Sequence, residues 1–196
     1  MIKNIRKVSN IRYASIREMD ISNGEGIGVA LFVQGCHFHC YNCFNQETWD
    51  FKKGKEWTQE TENKFIELCK RPFIDCVSIL GGEPLADENL DGVLHLVNKF
   101  RLSFPNKSIW LYSGYTWEEC QPFSEEGLLK GSNFAPNLQK ILYKRQQIIS
   151  QCNVMVDGRY IDSQRDITLK WRGSSNQRVI DIRKSLQKGE IVLWTE

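Results

Sequence analysis

The chain of 196 residues carries 26 Lys and Arg against 24 Asp and Glu, a formal net charge of +2, and 41% of its residues are hydrophobic. So small a net charge gives no reason to expect binding to nucleic acid or to a membrane surface. The length and composition suit a globular chain with one buried core, so we expect a single domain over residues 1–196.

Seven cysteines are present, three of them between residues 36 and 43 and the other four scattered as Cys69, Cys76, Cys120 and Cys152. An odd number in this arrangement argues against a secreted disulfide framework and favours a reducing cytoplasm. The basic N-terminus lacks the apolar stretch of a signal peptide, and no membrane-spanning segment is visible. We therefore expect a cytoplasmic protein, and we expect the four scattered cysteines to be core residues.

Short β-rich segments alternate with helical ones, which is typical of βα units around a parallel sheet. The apolar segment GVALFV, residues 28–33, predicts a buried strand, and the cysteine loop GCHFHCYNCF follows it directly. Residues 58–70 predict a helix with Thr58 as its N-cap. Residues 73–80 then predict a second strand, which runs into Gly81-Gly82-Glu83-Pro84.

The next helix is predicted to begin at Asp87 as its cap, with apolar residues at helical spacing. These residues are Leu90, Val93, Leu94 and Val97. Residues 108–114 predict a third strand, and the Pro, Gly and Ser content of residues 121–137 predicts a loop within a possible insertion at 121–151. A further helix carries Leu138, Ile141, Leu142, Ile148 and Ile149, and residues 153–158 predict a fourth strand.

The two most distinctive loops, QGCHFHCYNC and GGEP, both follow the carboxyl ends of predicted strands. In parallel α/β architectures ligands bind at that edge of the sheet. We therefore expect these two loops to meet on one face of the molecule.

Cys36, Cys40 and Cys43 follow the spacing C-x3-C-x2-C. This spacing can give three irons of a 4Fe-4S cluster one thiolate each and leave the fourth iron open. The alternative is a zinc ion that takes His37 or His39 as its fourth ligand. We expect neither histidine to be a ligand, because residues around a cluster more often hydrogen-bond to sulfides or backbone.

An open iron suits a small chelating molecule, such as an amino acid that binds through its amine and carboxylate. The GGEP loop can complete that pocket, since glycines allow close approach of the backbone and the Glu83 carboxylate can accept from an ammonium group. Taken alone, GGEP is more often a simple turn.

Together the two motifs resemble the radical S-adenosylmethionine superfamily. Five segments are similar, in order and content, to the family of proteins that activate anaerobic ribonucleoside-triphosphate reductase. They are NGEGIGVALFVQGCHFHCYNCFNQETW, LGGEPL, WLYSGYTWEE, NVMVDGRYID and LKWRGSSNQRVID. The segment WRGSSNQR discriminates best, because the cysteine motif belongs to the whole superfamily.

This resemblance implies an open partial β/α barrel with mostly parallel strands. It implies that Cys36, Cys40 and Cys43 ligate the cluster, and that S-adenosylmethionine binds the fourth iron. Its adenosyl part would lie near Asn42, Cys43 and Phe44, and its methionine amine near Gly81, Gly82 and Glu83. Asn42 departs from the family pattern, which often has glycine or an aromatic residue at that position.

The implied reaction is reductive cleavage of S-adenosylmethionine to a 5'-deoxyadenosyl radical, which generates a glycyl radical on the large subunit of anaerobic (class III) ribonucleoside-triphosphate reductase. The cofactors carry the chemistry, so no side-chain acid or base is nominated, and a flavodoxin-type protein would supply the electron. Two alternatives stay open. One is a radical enzyme that acts on another glycyl-radical enzyme or a small molecule, and the other is a zinc-binding interaction module.

The WRGSSNQR segment also has an ordinary structural interpretation. On its residues alone, Trp171 packs in the core, Gly173 turns the chain, and Arg172 and Arg178 face water. Only the resemblance makes the segment a candidate for partner or substrate contact.

Overall fold

The computed structural model describes residues 7–122 and 135–195. In these ranges the chain forms one sheet with the strand order β3-β1-β2-β4-β5-β6-β7. The strands are β1 (Lys7–Asp20), β2 (Gly28–Val33), β3 (Lys55–Thr58), β4 (Cys76–Gly81), β5 (Ser108–Tyr112), β6 (Val154–Asp157) and β7 (Arg178–Asp181). The helices are α1 (Gln59–Lys70), α2 (Leu90–Ser103), α3 (Ala135–Gln151) and α4 (Ile182–Lys188).

The centre of the sheet is parallel and its edges are antiparallel. Strands β2, β4, β5 and β6 run in one direction, while β1 and β3 at one edge and β7 at the other run against their neighbours. The two ends of the sheet do not pair with each other. This confirms the predicted α/β class and is consistent with an open partial β/α barrel.

Both faces of the central strands are buried, which explains their continuous apolar sequences. In β2, Val29, Leu31 and Val33 pack in the main core on the face that the helices cover. Ala30 and Phe32 alternate with them and face the inner side, in a separate small cluster. The carboxyl ends of the strands therefore frame an inner space, and the functional site lies there.

The predicted N-cap of α1, Thr58, is confirmed, whereas the predicted cap of α2, Asp87, was wrong. Thr58 caps α1, its hydroxyl oxygen accepting from the Thr61 N–H at 3.2 Å. Helix α2 begins at Leu90 instead, after Asn89, whose amide donates to two loop carbonyls. Asp87 forms an ion pair with Arg145 of α3 at 3.0 Å, so this carboxylate is committed to a tertiary contact rather than to a cap.

Strands β1, β3 and β7 had no prediction from the sequence. Strand β1 is an edge-proximal strand with exposed or half-exposed side chains along much of its length, and two register irregularities interrupt its pairing with β2. Its sequence lacks a continuous apolar run for that reason, so the pattern that identifies buried strands does not detect it.

The helix predicted near the end of the possible insertion is confirmed as α3, with Leu142, Ile148 and Ile149 buried. Residues 123–134 of the predicted loop lie outside the described residues, so the single-domain assignment and the insertion stay predictions. Among the helices described, none has both the length and the apolar character needed to cross a bilayer.

Candidate functional site

The cysteine loop and the GGEP loop are joined by backbone hydrogen bonds. The Gly82 N–H donates to the Val33 carbonyl at 2.8 Å, and the Glu83 N–H donates to the Gly35 carbonyl at 2.7 Å. A side chain at Gly82 would meet the Gly35 backbone, with the added Cβ 2.9 Å from the Gly35 carbonyl carbon. The expectation that the two loops meet on one face is therefore confirmed, and glycine at residue 82 is what allows their backbones to touch.

A cavity of about 430 Å³ opens at this edge of the sheet. Seven of the eight residues assigned from the sequence to the cluster or cofactor line it, namely Cys36, Cys40, Cys43, Phe44, Gly81, Gly82 and Glu83. Asn42 is the exception, because its side chain is turned away to donate to Asp162 at 3.2 Å. Phe32, Leu80 and Tyr112 from the inner face of the sheet form part of the wall.

The base of the cysteine loop is anchored before the first cysteine. Gln34 is buried, and its side-chain amide donates to the carbonyls of Glu47 and Asp50 at 3.1 and 2.9 Å. Within the loop, His39 and Asn42 have positive φ angles of 47° and 54°. These two left-handed residues curl the backbone, so that all three cysteines turn toward the same cavity.

Backbone N–H groups surround the Cys36 sulfur. The backbone N–H groups of Phe38 and His39 are directed at it, and both lower the pKa of its thiol. Burial outweighs them and raises that pKa to about 11. A thiol of this kind ionises when it binds a metal, and the same two donors would then stabilise the bound thiolate.

The other two cysteines of the loop also receive backbone donors. The Tyr160 N–H, from the loop after β6, is directed at the Cys40 sulfur and lowers the pKa of its thiol, which burial raises overall. The Asn45 N–H donates to the Cys43 sulfur at 3.4 Å. Hydrogen bonds to cysteine sulfurs are a means by which proteins stabilise and tune iron-sulfur clusters. The donor set around these cysteines therefore fits such a cluster.

The geometry does not favour a single zinc ion. In the described part of the chain, no three His, Cys, Asp or Glu side chains are close enough to hold one metal ion. His37 hydrogen-bonds to Glu88 at 2.9 Å, and His39 stacks on Trp49 with ring centroids 4.6 Å apart. The three thiols are free and line the same cavity.

Glu83 is a buried acceptor, with only 2% of its surface exposed. Its carboxylate accepts from the N–H groups of Leu85 and Gly114 at 2.8 and 2.7 Å and from the Ser113 hydroxyl at 2.8 Å. Burial raises its pKa to about 7 in spite of these donors. Glu83 thus ties the loop after β4 to the loop after β5, a role that its position in a GGE motif does not reveal.

The WRGSSNQR segment lies beside the cavity rather than in solvent. Trp171 has a φ of 61° and packs on the buried Trp110 with ring centroids 5.0 Å apart. Arg172 lines the cavity with a buried Nε that has no hydrogen-bond partner in the structure. The expectation that Arg178 faces water was wrong, because it pairs with Asp157 of β6 and with Glu118, lowering the pKa of Glu118 to about 2.

The four scattered cysteines are buried in the hydrophobic core, as expected. None of them lines the cavity. Burial raises the pKa of each thiol to about 12, so these side chains are neutral packing residues.

Comparison with known proteins agrees with this geometry. The model of the family described as "4Fe-4S single cluster domain" matches residues 22–180. The anaerobic ribonucleoside-triphosphate reductase-activating protein of Vibrio cholerae is 35% identical over 169 residues, which cover 85% of this chain and 96% of that protein. The chain belongs to this family of activating proteins. The resemblance identified from the sequence is thereby confirmed.

Other relatives carry the same name. The anaerobic ribonucleoside-triphosphate reductase-activating protein of Salmonella typhi is 33% identical over 175 residues, 88% of this chain and 100% of that protein. The protein of that name from Enterobacteria phage T4 is 29% identical over 171 residues, 86% of this chain and 93% of that protein. These relatives fit the first hypothesis and neither of its alternatives.

Proposed function

We propose that this protein is an enzyme that activates anaerobic ribonucleoside-triphosphate reductase by generating a glycyl radical on its large subunit. The observation that carries the proposal is the single cavity that holds three free cysteine thiols next to the GGE loop. Membership of the activating-protein family supports the choice of target.

In this proposal, Cys36, Cys40 and Cys43 would each hold one iron of a 4Fe-4S cluster, and S-adenosylmethionine would bind at the fourth iron. When bound and reduced, these cofactors would supply a 5'-deoxyadenosyl radical able to take a hydrogen atom from a glycine of the reductase. Gly81 and Gly82 line the cavity beside the cysteine loop, on the side that we assign to the amino-acid part of the cofactor. Phe44 and Cys43 line the side that we assign to its adenosyl part.

The protein's own contribution is binding, orientation and exclusion of water. Phe32, Leu80 and Val156 give the cavity an apolar inner wall, which limits the access of water to a reactive radical. Glu83 already accepts three hydrogen bonds from the chain, so we assign it a positioning role and assign no side chain as a general acid or base.

The electron must come from another protein. Iron-sulfur potentials span about −700 to +450 mV, and cleavage of a sulfonium requires a value toward the low end. A flavodoxin-type donor fits this requirement. Tyr41 and Phe44 on the cysteine loop are exposed by 77% and 59%, which suits a loop that meets a partner protein.

The proposal is tested by anaerobic iron and sulfide analysis, with electron paramagnetic resonance of the dithionite-reduced protein. We expect about four irons per chain and a reduced-cluster signal that changes when S-adenosylmethionine is added. One zinc with no iron and no signal would contradict the proposal, since the site would then be closed by a protein ligand.

Glu83→Ala is expected to weaken S-adenosylmethionine binding more than it lowers iron content. The substitution leaves the Leu85 and Gly114 N–H groups and the Ser113 hydroxyl without their acceptor, at a cost of about 2 to 4 kcal/mol in the free energy of unfolding. The loop after β5 then loses its attachment beside the cofactor. Equilibrium dialysis with labelled S-adenosylmethionine, alongside iron analysis, measures the two effects separately.

Glu83→Gln serves as the matched variant for this prediction. It keeps an oxygen for Leu85 and Ser113 but places an amide opposite the Gly114 N–H. Its affinity should fall between those of the wild type and Glu83→Ala. Unchanged affinity in both variants would remove Glu83 from the site.

A further inference from the structure

The WRGSSNQR segment has a structural task that the proposed chemistry does not explain. Its residues 173–177 hold the backbone of residues 158–164, the loop that follows β6. Five hydrogen bonds join the two segments. They run from Gln177 Nε2 to the Gly158 carbonyl at 2.9 Å, from Asn176 Nδ2 to the Arg159 carbonyl at 2.8 Å, from the Ile161 N–H to Ser174 Oγ at 3.2 Å, from the Ser175 N–H to the Gln164 carbonyl at 2.9 Å, and from the Ser175 hydroxyl to Gln164 Oε1 at 3.4 Å.

The 158–164 loop in turn contacts the cysteine loop. The Tyr160 ring packs against Phe44 with ring centroids 5.2 Å apart at 61°. The Asp162 carboxylate accepts from the Asn42 amide at 3.2 Å and from the Tyr160 hydroxyl at 2.8 Å. One ring contact and one side-chain hydrogen bond thus connect the two loops.

Gly173 allows this arrangement. A Cβ at residue 173 would lie 3.1 Å from the Phe44 ring and 3.2 Å from the Tyr160 ring, closer than most real Cβ contacts. Gly173, the first residue of the 173–177 segment, therefore lies directly against both aromatic rings. Any side chain at this position would press on the contact between the two loops.

The orientation of the Asn42 side chain is also explained by the contact between the two loops. Its φ of 54° is a left-handed conformation that asparagine tolerates better than most residues. Its amide points to Asp162 and not into the cavity. The residue that departs from the family pattern is therefore one half of the link between the loops.

We propose that residues 173–177 and 158–164 form a clamp that holds the cysteine loop, with the Asn42 to Asp162 hydrogen bond as its closing contact. Asn42, Tyr160, Asp162 and Gly173 are then positioning residues for the cluster ligands and for the cofactor beside them. The part that concerns cofactor binding rests on the proposed function. The clamp itself is a property of the polypeptide and can be tested without the cluster.

The test is an exchange of the two side chains of the closing contact. Asn42→Asp places two carboxylates opposite each other, and combining it with Asp162→Asn restores an amide facing a carboxylate. In cluster-free protein, we expect Asn42→Asp to speed amide hydrogen exchange over residues 37–45 about tenfold. The double variant should return to within about twofold of the wild type.

A second readout uses the iron-loaded protein. The dissociation constant for S-adenosylmethionine should rise about tenfold in Asn42→Asp and recover in the double variant. Both proteins carry a carboxylate at residue 42, so their difference reports the contact and not the added charge beside Cys43. Asn63→Asp on the exposed side of α1 makes the same chemical change away from the site, and should alter neither value.

The outcomes separate the clamp from the proposed function. Equal exchange in the wild type and Asn42→Asp, or no recovery in the double variant, overturns the clamp even if the wild type binds S-adenosylmethionine. Loss of all cofactor binding in the wild type would overturn the proposed function, while the exchange experiment would still decide the clamp. If Asn42→Asp fails to fold, Asp162→Ala replaces it, since Asp162 is only half-buried. Unchanged amide hydrogen exchange over residues 37–45 in Asp162→Ala would also overturn the clamp.

Discussion

Replacing Cys40 by alanine is expected to abolish cluster binding and, with it, radical formation. Cys40 is the central cysteine of the motif, and it lines the cavity together with Cys36 and Cys43. With only Cys36 and Cys43 left, two thiolates would have to hold a cluster that normally takes at least three protein ligands. We expect iron content to fall to background and S-adenosylmethionine cleavage to fall by at least about 1,000-fold, equivalent to about 4 kcal/mol.

Cys69→Ala is the matched control for this experiment. It removes the same thiol group, but from a buried core position outside the cavity. We expect the free energy of unfolding to fall by about 1 kcal/mol and the iron content to stay unchanged. Iron and sulfide analysis of both variants, after identical anaerobic reconstitution, gives the comparison. A Cys40→Ala protein with full iron content and full cleavage would disprove the ligand assignment.

Gly82→Ala is expected to damage cluster binding and cofactor binding together. Its added methyl group would lie 2.9 Å from the Gly35 carbonyl carbon, and the obstacle is backbone, which cannot rotate away as a side chain can. The GGE turn and the cysteine loop must therefore separate, which breaks the bonds from Gly82 to Val33 and from Glu83 to Gly35. We expect a loss of about 2 to 3 kcal/mol in the free energy of unfolding.

The same variant should weaken S-adenosylmethionine binding by at least about tenfold, which corresponds to about 1.4 kcal/mol. Gly189→Ala is its control, because this residue ends α4 with a φ of +69° and has open space around it. That change introduces backbone strain of about 1 kcal/mol without touching either loop. If both variants bind the cofactor as tightly as the wild type, the contact between the two loops is not needed for binding.

The cysteine ligands can be predicted from the sequence, whereas the effect of a substitution at Gly82 cannot. The cysteine spacing is enough to predict the ligands, because a loop with C-x3-C-x2-C can face one cluster with little help from the rest of the chain. The effect of a methyl group at Gly82 depends on the distance between two loops, and these loops are more than 40 residues apart in the sequence. No local pattern contains that distance.

The helices and the central strands were largely predictable. Strands β2, β4, β5 and β6 are continuous apolar segments because both of their faces are buried, and α1 has a capping threonine at its start. Strands β1, β3 and β7 were not predicted. Strands β1 and β3 lie toward one sheet edge and carry polar residues on exposed positions, and β7 is a four-residue edge strand with polar residues at both ends, Arg178 and Asp181. The position of Asp87 suggested a helix cap, but a long-range ion pair with Arg145 uses that carboxylate.

The sequence by itself determined the family, the three cysteine ligands proposed for the cluster and the pairing of the cysteine loop with the GGE loop. Motif spacing and strand order contain this information, because ligands meet at the carboxyl ends of parallel strands. Only the tertiary structure decided that Glu83 is committed to three donors from the chain and that Asn42 turns to Asp162, 120 residues further on. The reason is physical: a polar side chain takes whichever partner the fold brings within about 3 Å, and that partner is set by packing rather than by neighbours in the sequence.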